Sequence, residues 1–190
     1  MSLSGNGNSK FTKFSQIDLL VLDVDGVLTD GRIILSPNGE ETKAFHVRDG
    51  SGMKIWHRLG KKQAIITGRA SPAVAIRARD LDVDALRMGA KMKLPVYLEV
   101  LAELGVSSDR VAVVGDDLPD VPLLRHCAFP IAVADAVQEA RDLAAYVTQA
   151  PGGFGAVREV IELILKGSGL WDKVLERYFQ DPQDPQETGL

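Results

Sequence analysis

The sequence lacks a set of cysteines, an excess of basic charge and any long apolar run. Its 190 residues include a single cysteine, Cys127, so an internal disulfide framework is excluded and a small buried side chain is the expected role. The net charge of −4 argues against a general nucleic-acid binder. No segment approaches the roughly eighteen apolar residues of a membrane span, and residues 1–10 show no apolar signal core. We therefore expect a cytoplasmic protein that binds neither nucleic acid nor membrane.

What the sequence does contain is an alternation of strand and helix patterns. Hydrophobic residues make up 45% of the chain, which is enough for one domain with a real core. Strands that alternate with helices indicate βαβ units and a mostly parallel sheet. We predict an α/β fold, a Rossmann-like three-layer sandwich over residues 16–180, with flexible segments over 1–15 and 181–190. A predicted β-hairpin within residues 30–47, with its turn at Ser36-Pro37-Asn38-Gly39, interrupts the alternation.

These patterns place the expected elements along the chain. Asp49 and Ser71 are predicted to cap helices, and Gly105 to end one. The sequence does not indicate whether the last predicted helix packs on its own subunit or on a neighbour. The predicted strands are 18–22, 32–35, 42–47, 63–67, 84–87, 110–114, 131–134 and 146–148. The predicted helices are 49–59, one that opens at Pro72, 93–104, 119–126, 137–145, 155–166 and 170–179.

Two carboxylates stand where the first predicted strand ends. Asp23 and Asp25 follow the apolar run 19–22, which is typical of a parallel strand buried on both faces, and Gly26 lets the chain turn. Ligands of open parallel sheets bind beyond the carboxyl ends of the strands. The sequence therefore predicts a site for a divalent cation and a phosphate at this end of the sheet.

Two further predicted strands end in polar residues. Thr67 ends one of them and Gly68 follows it, and the Thr67 hydroxyl with nearby backbone amides suits the binding of phosphoryl oxygens. Another is followed by three carboxylates, Asp116, Asp117 and Asp120, which repel one another unless a cation is present. Hard oxygen ligands of this kind favour Mg²⁺.

Residues 23–30, Asp-Val-Asp-Gly-Val-Leu-Thr-Asp, resemble the first motif of the haloacid dehalogenase superfamily of phosphohydrolases. The resemblance implies that Asp23 is the nucleophile, which forms an aspartyl-phosphate, and that Asp25 is the general acid and base. It also implies that Thr67 binds phosphoryl oxygens. The implied Mg²⁺ ligands are Asp23, the backbone carbonyl of Asp25, and Asp116. Asp117 and Asp120 are implied to lie behind these ligands and to orient them or the lysine.

The resemblance further implies a lysine that neutralises the phosphate. Lys91 and Lys93 both lie near the start of a predicted helix. We choose Lys93, because the family spacing Gly-x-x-x-Lys fits Gly89 to Lys93. Relatives usually read Gly-Gln-Ser-Asp-Lys at this point, and the chain departs from them at Ala90, Lys91 and Met92.

The likeness extends to one family within this superfamily, the 3-deoxy-D-manno-octulosonate 8-phosphate phosphatases, over roughly residues 17–166. It implies a phosphatase without a cap domain, in which the hairpins of four subunits form a central barrel and each site lies near a subunit boundary. We therefore expect a homotetramer that acts on an anionic sugar acid phosphate in lipopolysaccharide biosynthesis. The segments that carry the likeness are 47–52, 65–69, 115–120, 133–136 and 152–159.

The substrate of that family carries a phosphate and a carboxylate, and the forked guanidinium of arginine suits the carboxylate. His46 and Lys54 stand where relatives have Asn and Arg, and Phe154 stands where they often have arginine. The residues expected to contact the substrate are Asp25, His46, Val47, Arg48, Asp49, Gly50, Lys54, Gly68, Arg69, Arg77 and Lys93.

Three alternatives stay open. A nonulosonate 9-phosphate phosphatase shares the scaffold, but it is expected to have Glu in place of Arg69 and no arginine in place of Arg48. The second alternative is a broad sugar or nucleotide phosphatase. The third is a non-catalytic assembly domain of the same fold, which is expected to lose motif residues. This chain keeps Asp23, Asp25, Thr67, Lys93 and Asp116.

Overall fold

The computed structural model describes residues 14–179. Residues 1–13 and 180–190 lie outside the described residues, and so do most residues of the flexible segments predicted over 1–15 and 181–190. The strands are β1 Leu19–Leu22, β2 Ile34–Leu35, β3 Glu41–Thr42, β4 Lys62–Ile66, β5 Ala85–Arg87, β6 Val111–Gly115, β7 Phe129–Ala132 and β8 Tyr146–Val147. The helices are α1 Val47–Arg58, α2 Pro72–Asp80, α3 Lys93–Leu104, α4 Val121–Leu124, α5 Gln138–Leu143, α6 Ala156–Gly167 and α7 Trp171–Phe179.

Six of the strands form one parallel sheet in the order β5-β4-β1-β6-β7-β8. β1 lies inside the sheet and pairs with β4 on one side and β6 on the other, so that Leu22 lies opposite Ile65 and Val114. All four residues of β1 are buried, which is why its sequence is continuously apolar rather than alternating. The carboxyl ends of β1, β4 and β6 therefore meet at one edge of the sheet.

The helices pack in two sets around this sheet. α6 contacts α1 and α7, and α4 contacts α3 and α5. The core they enclose includes Trp56 and Tyr97, both fully buried. The three-layer α/β fold predicted from the sequence is confirmed, and α7 contacts α6 of its own chain. No helix within residues 14–179 is both long enough and apolar enough to cross a membrane.

Most predicted elements are present with ends shifted by one or two residues. The hairpin strands are shorter than predicted, because β2 and β3 have two residues each. The apolar residues Ile34 and Leu35 of β2 are exposed. These side chains bury little apolar surface within the chain, so little packing energy is available to stabilise longer strands. The predicted helix 119–126 is divided into a 3₁₀ turn, Leu118–Asp120, and the short helix α4. Gly105 ends α3 in the left-handed conformation, as predicted.

The prediction that Asp49 caps α1 is wrong. α1 begins at Val47, and His46 occupies its N-cap position without a side-chain hydrogen bond. The Asp49 carboxylate instead accepts the backbone N–H groups of Gly155, at 3.3 Å, and Arg158, at 2.7 Å. It is therefore the cap of α6, and it ties α1 to that helix. Ser71 does occupy the N-cap position of α2, but its hydroxyl makes no capping hydrogen bond.

Asp49→Ala is expected to lower the free energy of unfolding by about 1–3 kcal/mol, because two part-buried N–H groups lose their acceptor. Urea unfolding followed by circular dichroism measures this loss. Asp172→Ala, at an exposed acid on α7, is the control and should change stability by less than about 0.5 kcal/mol. Equal effects of the two substitutions would contradict the capping role of Asp49.

Candidate active site

Polar residues from three neighbouring strands converge at the carboxyl edge of the sheet. Asp23 follows β1, Thr67 follows β4 and Asp116 follows β6. The Asp23 backbone N–H donates to the Val114 carbonyl, at 3.3 Å, which continues the pairing of β1 with β6. Thr67 is almost fully buried and Asp23 is 9% exposed, so these groups lie at the bottom of the edge rather than on its surface.

A cluster of three carboxylates and one ammonium occupies this edge. Oxygens of Asp23, Asp116 and Asp120 all lie within 4.8 Å of one another. The Lys93 ammonium lies 2.8 Å from Asp23 Oδ1 and 2.7 Å from Asp120 Oδ1, and its side chain is 3% exposed. Lys91, the other candidate lysine, is exposed. One buried positive charge therefore faces three carboxylates.

Burial and mutual repulsion shift the ionisation of this cluster. Burial raises the pKa of Asp23 to about 6, and repulsion from Asp120 adds to the effect. Burial also raises the pKa of Asp116 to about 8, with further contributions from Asp23 and Asp120. Burial acts to lower the pKa of Lys93, but the two aspartates that it contacts outweigh this and the pKa is raised. When all three carboxylates are ionised, the single positive charge of Lys93 does not balance their negative charge.

The residues of the cluster fit a hard divalent cation. Asp116 Oδ1 is buried and has no hydrogen-bond partner within residues 14–179. Carboxylate oxygens are the ligands that Mg²⁺ and Ca²⁺ prefer, and a cation among them would relieve the repulsion that raises the pKa values of Asp23 and Asp116.

Asp120 and Asp117 support this cluster in different ways. Asp120 Oδ1 accepts from Lys93, while its Oδ2 accepts the backbone N–H of Asp116 at 3.1 Å. Asp120 therefore fixes both the lysine and the loop that carries Asp116. The exposed Asp117 instead caps the turn that follows it and accepts the Leu118 N–H at 2.7 Å.

Glycines allow the surrounding loops to approach closely. Gly26 has a φ of +96°, and a Cβ at this position would overlap the Asp116 carboxylate. A Cβ on Gly152 would overlap the backbone carbonyl of Gly26, and the Gly153 N–H donates to the Val27 carbonyl at 2.9 Å. The loop near residue 152 is thus packed directly on the loop that carries Asp23 and Asp25.

The hairpin contributes two charged residues that the sequence analysis missed. The Lys43 ammonium pairs with Asp25 Oδ1 and lies 3.4 Å from Glu41 Oε1. Arg69 donates to Glu41 at 2.9 Å, and its Nε lies 3.7 Å from Asp25 Oδ2. The available signal was the i, i+2 spacing of Glu41 and Lys43, which puts both on one side of an extended chain.

Two of the basic residues predicted to contact the substrate, Lys54 and Arg77, instead form ion pairs with acids outside the carboxylate cluster. Lys54 pairs with Asp82 at 2.7 Å, and Arg77 pairs with Asp80 at 2.6 Å. The Arg77 guanidinium lies over the Phe45 ring, at 5.9 Å, and a Cβ on Gly50 would overlap it. These cations are held by groups outside the carboxylate cluster.

A separate cavity lies beside the start of α6. Its volume is about 480 Å³, and Arg48, Phe154 and Arg158 contribute to its lining. Val47 is 77% exposed beside Arg48, and Nδ1 of His46 is buried without a hydrogen-bond partner among the described residues. Arg48 is thus an exposed guanidinium that faces this cavity. Gly68 remains with Thr67 at the end of β4.

Comparisons with known proteins identify relatives of this chain. The family model of haloacid dehalogenase-like hydrolases matches residues 91–161. The 3-deoxy-D-manno-octulosonate 8-phosphate phosphatase of Salmonella typhi is 44% identical over 162 residues, which are 85% of this chain and 86% of the relative.

Solved structures give the same result. The crystal structure of the phosphatase of the same name from Moraxella catarrhalis, in complex with magnesium, phosphate and KDO, has a TM-score of 0.86 at 40% identity and covers 90% of this chain and 98% of that one. The cobalt-bound deoxy-D-mannose-octulosonate 8-phosphate phosphatase of Haemophilus influenzae has a TM-score of 0.80 at 36% identity and covers 83% and 92% of the two chains.

The sheet, the carboxylate cluster at its edge and these matches define a class: the chain is a haloacid dehalogenase-like hydrolase and a phosphatase. With 44% identity over 85% of its length, it belongs more particularly to the family of 3-deoxy-D-manno-octulosonate 8-phosphate phosphatases.

The raised pKa values of the cluster predict how stability depends on pH without divalent cations. Above the ordinary aspartate value of 3.8, the unfolded chain releases protons that Asp23 and Asp116 still hold in the folded state. The free energy of unfolding should therefore fall as the pH rises from about 4 through the folded values of about 6 and about 8. Denaturant unfolding in EDTA across this range measures the fall.

Asp116→Asn is the control for this effect. It removes one of the two titrating groups, so the decrease between pH 6 and 8 should become smaller. An identical pH dependence in the wild type and in Asp116→Asn would rule out the raised pKa of Asp116.

Proposed function

We propose that this protein is a Mg²⁺-dependent phosphomonoester hydrolase that releases phosphate from 3-deoxy-D-manno-octulosonate 8-phosphate. The observation that carries the proposal is the buried cluster of Asp23, Asp116 and Asp120 around the Lys93 ammonium. It lies in a chain that is 40% identical to a phosphatase crystallised with magnesium, phosphate and KDO.

The reaction proceeds in two steps. A carboxylate oxygen of Asp23 attacks phosphorus while the bond from phosphorus to the ester oxygen breaks, and Asp25 gives a proton to the departing alkoxide. Asp25 then takes a proton from the water that attacks the aspartyl-phosphate, which releases phosphate and restores Asp23. The Thr67 hydroxyl, the Gly68 backbone and the Lys93 ammonium hold phosphoryl oxygens in both steps.

The metal has a defined place in this proposal. Asp23, the backbone carbonyl of Asp25 and Asp116 would hold Mg²⁺, with Asp120 fixing the Asp116 loop from behind. When bound, Mg²⁺ would offset the negative charge of the cluster and of the phosphate. The unpartnered Asp116 Oδ1 and the raised pKa of its carboxyl support this ligand set.

Arginines support an acidic sugar as the substrate. The Arg69 side chain is 47% exposed beside Asp25, and its forked guanidinium suits a carboxylate of the substrate. Arg69 and Arg48 together favour the octulosonate substrate over a nonulosonate 9-phosphate, for which we expect Glu in place of Arg69. The complete cluster argues against a non-catalytic assembly domain. His46, Val47, Asp49, Gly50, Lys54 and Arg77 stay as predicted substrate contacts, but the partners of Asp49, Lys54 and Arg77 favour structural roles.

Self-association is part of the proposal. Ile33, Ile34 and Leu35 of the hairpin are 55%, 47% and 61% exposed, although three successive apolar residues are normally covered. We infer that the hairpins of four subunits cover one another. The single domain over 16–180 and the cytoplasmic location stay predictions.

The substrate proposal predicts a ranking of turnover. With Mg²⁺, the wild type should hydrolyse 3-deoxy-D-manno-octulosonate 8-phosphate with a higher kcat/KM than nonulosonate 9-phosphates or neutral sugar phosphates, and EDTA should abolish turnover. Phosphate release across this panel measures the ranking. A higher kcat/KM for the nonulosonate ester would favour that alternative, and no turnover of any ester with any divalent metal would favour the assembly domain.

Asp23→Asn tests the nucleophile. The amide cannot form the aspartyl-phosphate, so turnover should fall below detection while the circular dichroism spectrum stays close to that of the wild type. Appreciable residual turnover would contradict the role given to Asp23.

The assembly proposal predicts a mass in solution of four times the 20.5 kDa chain. Ile34→Lys should lower this mass, because a charged side chain would have to be buried between hairpins. Light scattering after gel filtration measures it. Leu98→Lys, at a 52% exposed leucine of α3, is the matched control and should leave the mass unchanged. A monomeric wild type would refute the tetramer.

A further inference from the structure

Four charged side chains join the hairpin to the edge of the sheet. Asp25 and Arg69 follow β1 and β4, while Glu41 and Lys43 belong to the hairpin. Lys43 pairs with Asp25, and Arg69 donates to Glu41 at 2.9 Å. Each hairpin charge therefore meets an opposite charge of the sheet edge. Two cations and two anions make the set neutral.

The burial of Lys43 distinguishes it from an ordinary hairpin lysine. Its side chain is 1% exposed, whereas Ile33 and Leu35 on the same hairpin are more than half exposed. A buried ammonium is costly unless it is paired and hydrogen-bonded. The hairpin therefore places its buried charge at the candidate active site, although it leaves apolar side chains in solvent.

The two oxygens of Asp25 have different surroundings. Oδ1 accepts from the Lys43 ammonium, while the Nε of Arg69 lies 3.7 Å from Oδ2, too far for a hydrogen bond. An ammonium group only donates hydrogen bonds, so the oxygen that it holds is fixed as an acceptor. Oδ2 is thus the oxygen that is left to face a leaving group.

We propose that Lys43 is a positioning residue of the active site, which holds the Asp25 carboxyl in one orientation toward the scissile bond. The inference rests on the proposed function, in which Asp25 gives a proton to the leaving group and takes one from water.

Glu41 completes the arrangement. Its Oε1 lies 3.4 Å from the Lys43 ammonium and accepts from Arg69, whose hydrogen bond lowers the pKa of Glu41. An ionised Glu41 is therefore a second carboxylate beside the Lys43 ammonium. It also limits how far Arg69 can move.

The test compares two phosphate esters that differ in their need for a proton. Loss of an alkoxide from the sugar acid phosphate requires the proton of Asp25, whereas p-nitrophenolate is a weakly basic leaving group. In Lys43→Met, kcat for the sugar ester should fall by about a hundredfold or more, as for a misplaced general acid. The rapid first-turnover release of p-nitrophenolate, measured by stopped flow, should fall less than about tenfold, and slow turnover should follow this burst.

Lys61→Met is the matched control. Lys61 is also a largely buried lysine, 9% exposed, and it pairs with Asp18 at 3.6 Å before β1, at the opposite end of the strand from Asp25. This variant should lose stability but keep the wild-type ratio between the two esters. If Lys43→Met does not fold, Lys43→Gln, whose uncharged polar end is one atom shorter than that of lysine, is judged by the same ratio.

The outcomes separate this inference from the proposed function. A wild type that hydrolyses neither ester with Mg²⁺ would overturn the proposed function itself. An active wild type in which the Lys43 variant loses both activities equally, or changes only KM, would overturn the positioning role. A selective loss for the sugar ester, absent in Lys61→Met, supports it.

Discussion

The arrangement at the sheet edge depends on one buried ammonium. Lys93 lies between Asp23 and Asp120, and without it three carboxylates would face one another in a space from which water is largely excluded. Its single charge does not balance all three, so Asp23 and Asp116 hold protons at a pH where exposed aspartates do not. Buried like charges destabilise a fold, and the packed sheet and its helices supply the stability that offsets them. A site built in this way favours a cation over an empty pocket.

The loop before α6, near residue 152, packs against the loop that carries Asp23 and Asp25 and is itself held by several hydrogen bonds. The Glu159 carboxylate accepts the N–H groups of Gln149 and Ala150, and Asp135 accepts that of Gly152 at 2.9 Å. Asp49 holds the next turn from α1. Three acids from three places in the chain thus fix a loop whose backbone touches the loop of Asp23 and Asp25. Aspartates thus have two roles here: Asp23 and Asp116 are candidate metal ligands, whereas Asp49 and Asp135 accept hydrogen bonds from backbone N–H groups.

The sequence was informative where chemistry follows from topology. Parallel strands put their carboxyl ends at one edge, so the proximity of Asp23, Thr67 and Asp116 could be predicted, and a spacing shared with relatives selected Lys93. Local patterns were weaker guides. Asp49 stands where a helix cap is common, yet its oxygens bind a distant helix. Lys43 was missed because only tertiary packing decides whether a hairpin side chain points inward.

The contact of Gly152 and Gly153 with residues 26–30 also has a consequence for how the chain folds as it is synthesised. The ribosome synthesises the loop that carries Asp23 and Asp25 early, and Gly152 and Gly153, which pack against it, much later. While the nascent chain ends before Gly152, Asp23 and Asp25 are present but the backbone that fixes their loop is missing. The loop that carries Asp23 and Asp25 therefore gains this packing partner only after most of the chain has been made.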